Sequence, residues 1–300
     1  MKKIRIAALA VGLLCLGFML AACGAGQGAA NPETTAAPAA DTAATVADAT
    51  PAEASTVDAA KEPEAKKIKV AANVGNIPWE FNEGDKLVGF EVDLMNAIAE
   101  KNNYEVEYIN TPFTGLFPGL IGGKFDVVMS SVTIKPDRVE KMDFTQPYYD
   151  SDQSLTVMKD SAVKGLADMK DQIVGVEGGT TPDIWANDNK EKYGFKEIRV
   201  YNTFSEAMLD LAAGRIQGVL GDIPAALYYI KDKPDMSVAE RITTNEKYGM
   251  LLQKGSPLRN EINDTISAFK QDGTMATIYK KWFGQDPVGS TVEVLPVPTE

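Results

Sequence analysis

The chain of 300 residues has no histidine and only two cysteines, Cys15 and Cys23, both near its start. The absence of imidazole, and of thiols after residue 23, removes the commonest transition-metal ligands and both usual nucleophile–base pairings. No metal, cofactor or catalytic residue is expected. Positive charge is also scarce: Lys and Arg number 30 against 42 Asp and Glu, for a net charge of −12. Residues 1–23 hold +3 and residues 24–66 hold −5, which leaves −10 on the rest. So acidic a body repels a phosphate backbone, and nucleic acid is not an expected partner. Long apolar runs are missing as well. The one at residues 6–20 is shorter than the ~20 residues a spanning helix needs.

What is present at the start is an address. Lys2, Lys3 and Arg5 precede that apolar run, which ends in Leu20-Ala21-Ala22-Cys23. A basic start, a short apolar stretch and small residues in this order read as a secretion signal. The small residues directly before Cys23 resemble a bacterial lipobox, in which the cysteine is acylated and becomes the mature N-terminus. The expectation is an extracytoplasmic protein, lipid-anchored to the cell membrane. Cys15 leaves with the signal, so no internal disulfide can form. Residues 24–66 are rich in Ala, Thr, Pro, Asp and Glu and carry no aromatic. Such a segment buries too little apolar surface to offset its ordering entropy, and a flexible coil of this length stands the body off by about 35 Å.

From residue 67 onward, apolar β-rich runs alternate with helical periodicity. Strands are predicted at 68–72, 105–109 and 125–129, with helices at 90–101 and 116–121. A second series has strands at 173–176, 198–201 and 218–220, with helices at 182–193 and 204–213. A long helical region, 257–283, closes the body, and the Pro- and Val-rich segment after Gln285 is expected to be loosely held. This order implies two α/β lobes built on mostly parallel sheets. Two stretches echo each other: GLIGGKFDVVMSS (119–131) and DLAAGRIQGVLGD (210–222). In each, a helix stops at glycine and an apolar strand runs into small or polar residues. Ligands of such sheets sit beyond the carboxyl ends of the strands, which here carry Ser131 and Asp222.

A cleft between those ends would gather Ser131, Thr133 and Arg138 from one lobe, with Thr181 and Asp222 from the other. A guanidinium fork matches a carboxylate. The start of a helix capped by Thr180 or Thr181, with Pro182 in its first turn, favours an anion. Asp222 beside hydroxyls suits an ammonium. Together these form the negative image of an α-amino acid. Taken singly, Arg138 also reads as a solvated surface charge and Asp222 as a helix cap.

The segments GFEVDLMNAIAE (89–100), SSVTIKPDR (130–138), DFTQPYY (143–149), VGVEGGTT (174–181) and AGRIQGVLGD (213–222) resemble, in order, the family-3 bacterial extracellular solute-binding proteins. These are amino-acid receptors of ABC importers. The resemblance implies a two-lobed, type II periplasmic-binding-protein-like α/β fold. Two parallel-sheet lobes would be joined by two crossing hinge strands, expected at 155–158 and 248–252. Lobe one would comprise residues 67–157 and 248–286, lobe two residues 158–247, and the tail residues 287–300. The resemblance further implies a monomeric, non-enzymatic receptor that delivers an L-amino acid to a membrane permease. Arg138 would clamp the ligand carboxylate with help from backbone at Thr133 and Thr181. Asp222, with Ser131 and Thr133, would hold the ammonium.

The sequence departs from that pattern where the family often carries Asp and then an aromatic, for it has Asn73 and Asn76. Trp79 and Phe113 are expected as aromatic walls, Trp79 equally as core. Glu177 stands in the region that receives the ligand side chain. A buried carboxylate there would favour arginine, lysine or ornithine. If Glu177 instead faces solvent or pairs with a protein Lys, the pocket would suit glutamine or another neutral polar amino acid. The alternative from another class is an enzyme on the same scaffold, resembling cyclohexadienyl dehydratases, with Glu177 as its proton-transfer group.

Overall fold

The computed structural model describes residues 64–299, which lie within one compact unit, Lys61–Glu300. The predicted signal, the Cys23 acylation site and nearly all of the predicted tether fall outside the described residues.

The chain enters as β1 (Lys66–Ala72), turns through the hairpin β2 (Phe81–Glu83) and β3 (Lys86–Val88), and forms α1 (Phe90–Asn102). Next come β4 (Tyr104–Asn110), α2 (Phe113–Ile121), β5 (Val127–Val128), α3 (Pro136–Val139) and β6 (Met142–Phe144). The second lobe holds β7 (Tyr149–Met158), β8 (Ile173–Glu177), α4 (Thr181–Asp188), α5 (Lys190–Tyr193) and β9 (Glu197–Tyr201). It continues through α6 (Phe204–Ala212), β10 (Gly218–Asp222), α7 (Ile223–Ile230) and β11 (Met236–Tyr248). The chain then returns as β12 (Leu251–Gln253), α8 (Leu258–Asp272) and α9 (Thr274–Phe283).

Each lobe is built on a five-stranded sheet, in the orders β4-β1-β5-β12-β6 and β11-β7-β10-β8-β9. The central strands are apolar because both faces of each sheet are covered. Val70, Val127 and Leu252 pack into one cluster with α1, α8 and α9, while their neighbours Ala71, Val128 and Leu251 pack into another with α2. This is the two-residue period of a strand serving two cores. Local signals set the helix ends: Asn103, in the left-handed conformation, caps α1, and Thr203 and Glu206 form a reciprocal capping box on α6. Gly89 has no substitute at the α1 entrance, since a Cβ there would lie 1.9 Å from the Trp79 carbonyl oxygen.

Three expectations need correction. The sheets are mixed, not parallel. β1 runs parallel to β4 and β5, and β8 to β9 and β10, but β12 and β7 each enter antiparallel after the chain has changed lobes. The first crossing is not at 155–158. Leu155 and Val157 lie in β7, in the core of the second sheet, and the crossing falls at 145–148. There the Thr145 N–H donates to the Met250 carbonyl at 2.9 Å and the Tyr148 N–H to the Tyr248 carbonyl at 3.0 Å, so the two crossings zip together.

Nor is the tail loose. Ser290 and Thr291 are buried, and Ser290 donates to both carboxylate oxygens of Asp150. The buried Lys270 ammonium donates to Gln146 Oε1, the Pro147 carbonyl and the Glu293 carbonyl at 2.7–2.8 Å. Composition gives no sign of this, because the tail is held through backbone atoms and one serine.

Candidate functional site

The carboxyl ends of β5, β8 and β10 face each other across a cleft lined by sixteen residues from both lobes, among them Asn76, Trp79, Phe113, Ser131, Thr133, Arg138, Glu177, Thr181 and Asp222. Asn73 stands beside it. The sequence-predicted residues of the body therefore converge on one place.

Arg138 is not a surface charge, being only 5 % exposed on the short α3. Its Nη1 donates to the Thr133 carbonyl at 2.9 Å, Nη2 reaches the Gly179 carbonyl of the other lobe at 3.5 Å, and the guanidinium lies 4.8 Å from the Phe117 ring. No carboxylate stands within ion-pair distance of it among the described residues. Burial draws its pKa below the ordinary value, against the pull of Asp137, Glu246 and Asp222.

Asp222 ends β10 and begins α7, but its side chain caps nothing. Oδ2 accepts from the Tyr248 hydroxyl at 2.5 Å, while Oδ1 is buried without a partner. Burial pushes this carboxyl well above the usual carboxylate range. The charges of Glu246 and Glu177 add to that rise, and the Tyr248 hydrogen bond opposes it.

Glu177 neither faces solvent nor pairs with a lysine. It is 8 % exposed, and its two oxygens accept from neutral donors: Oε1 from Asn73 Nδ2 at 2.6 Å and Oε2 from the Phe204 N–H at 2.9 Å. Burial raises its pKa to about 7, because those donors only partly replace lost hydration. The Asn73 contact spans the lobes, as do Asn73 to the Asn202 carbonyl and Ser205 to the Gly75 carbonyl. Asn76 turns inward instead and donates to Ser131 Oγ at 3.0 Å and Glu80 Oε1 at 3.1 Å.

Trp79 lies in the core and on the cleft lining together. It is fully buried, with edge contacts to Phe90, Tyr149 and Tyr248, yet it forms part of the cleft lining and its Nε1 has no partner. Phe113 opens α2 on the cleft wall. Thr180 is the residue that caps α4, while the Thr181 hydroxyl turns to Glu246.

Sequence reasoning missed three acids. Glu246, at the end of β11, accepts on one oxygen from Thr133 (2.7 Å) of lobe one and Thr181 (2.8 Å) of lobe two, and on the other from Gln153. Glu80 and Glu91 lie fully buried beneath Ser130 and Ser131. An acid in the first turn of a helix normally faces solvent, so nothing in the pattern marks Glu91.

A two-lobed α/β body with a charge-lined cleft at its strand ends is the architecture of a solute-binding protein. Residues 68–285 match the bacterial extracellular solute-binding proteins, family 3, and the chain belongs to that family. It is 32 % identical over 228 residues to the ABC transporter arginine-binding protein 1 of Escherichia coli (strain K12), covering 74 % of this chain and 92 % of that protein. An ancestral arginine-binding protein bound to arginine is similar in structure, with a TM-score of 0.70 at 34 % identity over 74 % of this chain and all of the other. The arginine-, lysine-, histidine-binding protein ArtJ of Geobacillus stearothermophilus has a TM-score of 0.67 at 31 % identity, over 74 % of this chain and 97 % of its own.

Proposed function

We propose that this chain is a lipid-anchored extracytoplasmic receptor that captures a cationic L-amino acid between its lobes and delivers it to an ABC permease. Arg138 takes the α-carboxylate, and Asp222 takes the α-ammonium with Ser131 and Thr133. Glu177 faces the positive end of the ligand side chain, between the walls formed by Trp79 and Phe113. The observation that carries the reading is the charge balance of the closed cleft. Arg138 has no carboxylate partner, and neither Asp222 nor Glu177 has a cation partner among the described residues, while Glu246 is held by three protein donors, Thr133, Thr181 and Gln153. An arginine, lysine or ornithine supplies one carboxylate and two cations, which is the complement. Names of arginine-binding relatives point the same way. Ligand contacts on both lobes would stabilise the closed form over the open one.

A neutral polar ligand such as glutamine is the second reading. Glu177 near neutrality is partly protonated, and a protonated carboxyl can donate to a side-chain amide. The relatives reported above carry binding-protein names, which favours a receptor over an enzyme. Titration calorimetry with arginine, lysine, ornithine, glutamine and glutamate tests the proposal. Tighter binding of glutamine or glutamate than of all three cations would overturn it.

A further inference from the structure

Glu80 and Glu91 are 0 % exposed, and no cation is paired with either among the described residues. Each has a distinct set of partners. Glu91 is an acceptor only: both oxygens receive the Ser131 N–H, at 2.9 and 3.1 Å, and Oε1 also receives the Tyr148 hydroxyl. Glu80 Oε1 accepts from Ser130 Oγ at 2.6 Å and Asn76 Nδ2 at 3.1 Å, while Glu80 Oε2 is buried with no donor to accept from. Two adjacent carboxylates cannot both remain ionised in such a place. One proton between them removes the repulsion and gives the orphaned oxygen a use, since a protonated Oε2 becomes a donor. Glu91, both of whose oxygens already accept from protein donors while Oε2 keeps room for one more, is the partner that stays ionised. The titratable groups facing Glu80 are Glu91 from α1 and Tyr148 from the first crossing.

The pair lies directly under the strand end. Ser131 adopts φ 44°, a left-handed conformation unusual for a residue with a side chain, and its N–H is the group that Glu91 holds. Ser130 Oγ donates to Glu80 and accepts from the Asn73 N–H at 3.2 Å, and Asn76 links Glu80 to Ser131 Oγ. We propose that Glu80 is a positioning residue: it carries a proton on Oε2, donates it to Glu91, and so fixes Ser131 in its strained turn with its hydroxyl at the cleft. The inference rests on the proposed role of Ser131 at the ligand's ammonium end, but the pair itself can be tested without ligand.

The two carboxyls then differ in what they tolerate. A Gln at position 80 keeps the acceptor oxygen and puts an N–H where the proton was. A Gln at 91 loses one of the acceptor oxygens that receive Ser131 and Tyr148. The experiment compares wild type, Glu80→Gln, Glu80→Leu and Glu91→Gln by infrared difference spectroscopy and by calorimetry with L-arginine. The spectrum of wild type minus Glu80→Gln, at neutral pH without ligand, is expected to show the carbonyl stretch of a protonated carboxyl group. Glu177 and Asp222 are common to both proteins and cancel. Arginine affinity is expected to fall ~10-fold or more in Glu80→Leu and Glu91→Gln and to recover within ~3-fold of wild type in Glu80→Gln, as for a lost and a retained buried hydrogen bond. A difference spectrum without that band overturns the proposal, even if Glu80→Leu fails to fold. So does a Glu80→Gln protein as weak as Glu91→Gln. If arginine does not bind wild type, the ligand reading fails while the spectrum still decides the pair.

Discussion

Arginine affinity should rise with pH, and Glu177 should be the cause. Burial in the cleft pushes its pKa up to about 7. A cationic side chain beside it favours the carboxylate, so proton and ligand compete for one group. If the ligand returns the pKa to its ordinary value of 4.5, linkage gives an affinity gain of roughly 40-fold between pH 5 and pH 7 and about twofold more above it. The α-carboxylate, α-ammonium and guanidinium of arginine keep their charges across this window. Calorimetry at pH 6, in buffers of different ionisation enthalpy, should find about 0.9 fewer protons released per ligand bound in Glu177→Gln than in wild type. Glu177→Gln should remove the part of the profile that Glu177 contributes, leaving the part due to the raised Asp222 carboxyl, and weaken arginine at pH 8 by ~2–5 kcal/mol, the cost of truncating one side of a buried charge pair. The ligand-free protein gives an independent check. A carboxyl raised from 4.5 to about 7 on folding binds more protons folded than unfolded, so it contributes stability below pH 4.5 that is lost as pH rises to 7. The loss is roughly 3 kcal/mol, and Glu177→Gln should abolish it. Wild-type arginine affinity that does not change between pH 5 and 8, with no proton release, would refute the assignment of Glu177 to the ligand's cationic end.

Arg138→Ala and Asp222→Ala should each weaken binding by at least ~2–5 kcal/mol while leaving the fold intact by circular dichroism, since each strands a ligand charge in a buried cleft; near-normal calorimetric affinity in either variant removes that residue from the site. Cys23→Ser should move the protein from the membrane fraction to the soluble extracytoplasmic fraction of cells, because a lipid and not a spanning helix is proposed to hold it. Deleting residues 287–300 should lower the melting temperature, since it takes the Glu293 carbonyl from the Lys270 ammonium and Ser290 from Asp150; an unchanged melting curve would mean these contacts contribute nothing in solution.

The two lobes were legible because each central strand buries both faces and each helix between them keeps a 3.6-residue apolar period. The cleft was legible because Ser131 and Asp222 end such strands, and because Arg138, Thr133 and Thr181 stand in motifs whose order is itself informative. What stayed hidden depends on long-range pairing. The crossing at 145–148 reads as a polar connection until the Thr145 and Tyr148 amides are seen bonded to residues a hundred positions away. The direction of β7 and β12 follows from those crossings and from no local signal. Glu80, Glu91 and Glu246 were invisible for a related reason, since a buried acid is recognised by its donors and those lie on other elements. The tail failed by composition alone: Pro and Val suggested a free end, but its backbone carbonyls and one hydroxyl satisfy Lys270 and Asp150.

That tail lies almost wholly beyond the family match, which stops at residue 285. It bonds to Gln146 and Pro147 through Lys270 and Leu295, and to Lys247 through Ser290, and so clasps the chain at both places where it passes between lobes. A clasp on a hinge acts on the cost of opening, and opening governs how long a captured solute stays. Substitutions at Ser290 that weaken the clasp are therefore expected to change the residence time of the solute while leaving every atom that recognises it in place, a difference that dissociation rates measured by stopped flow would show.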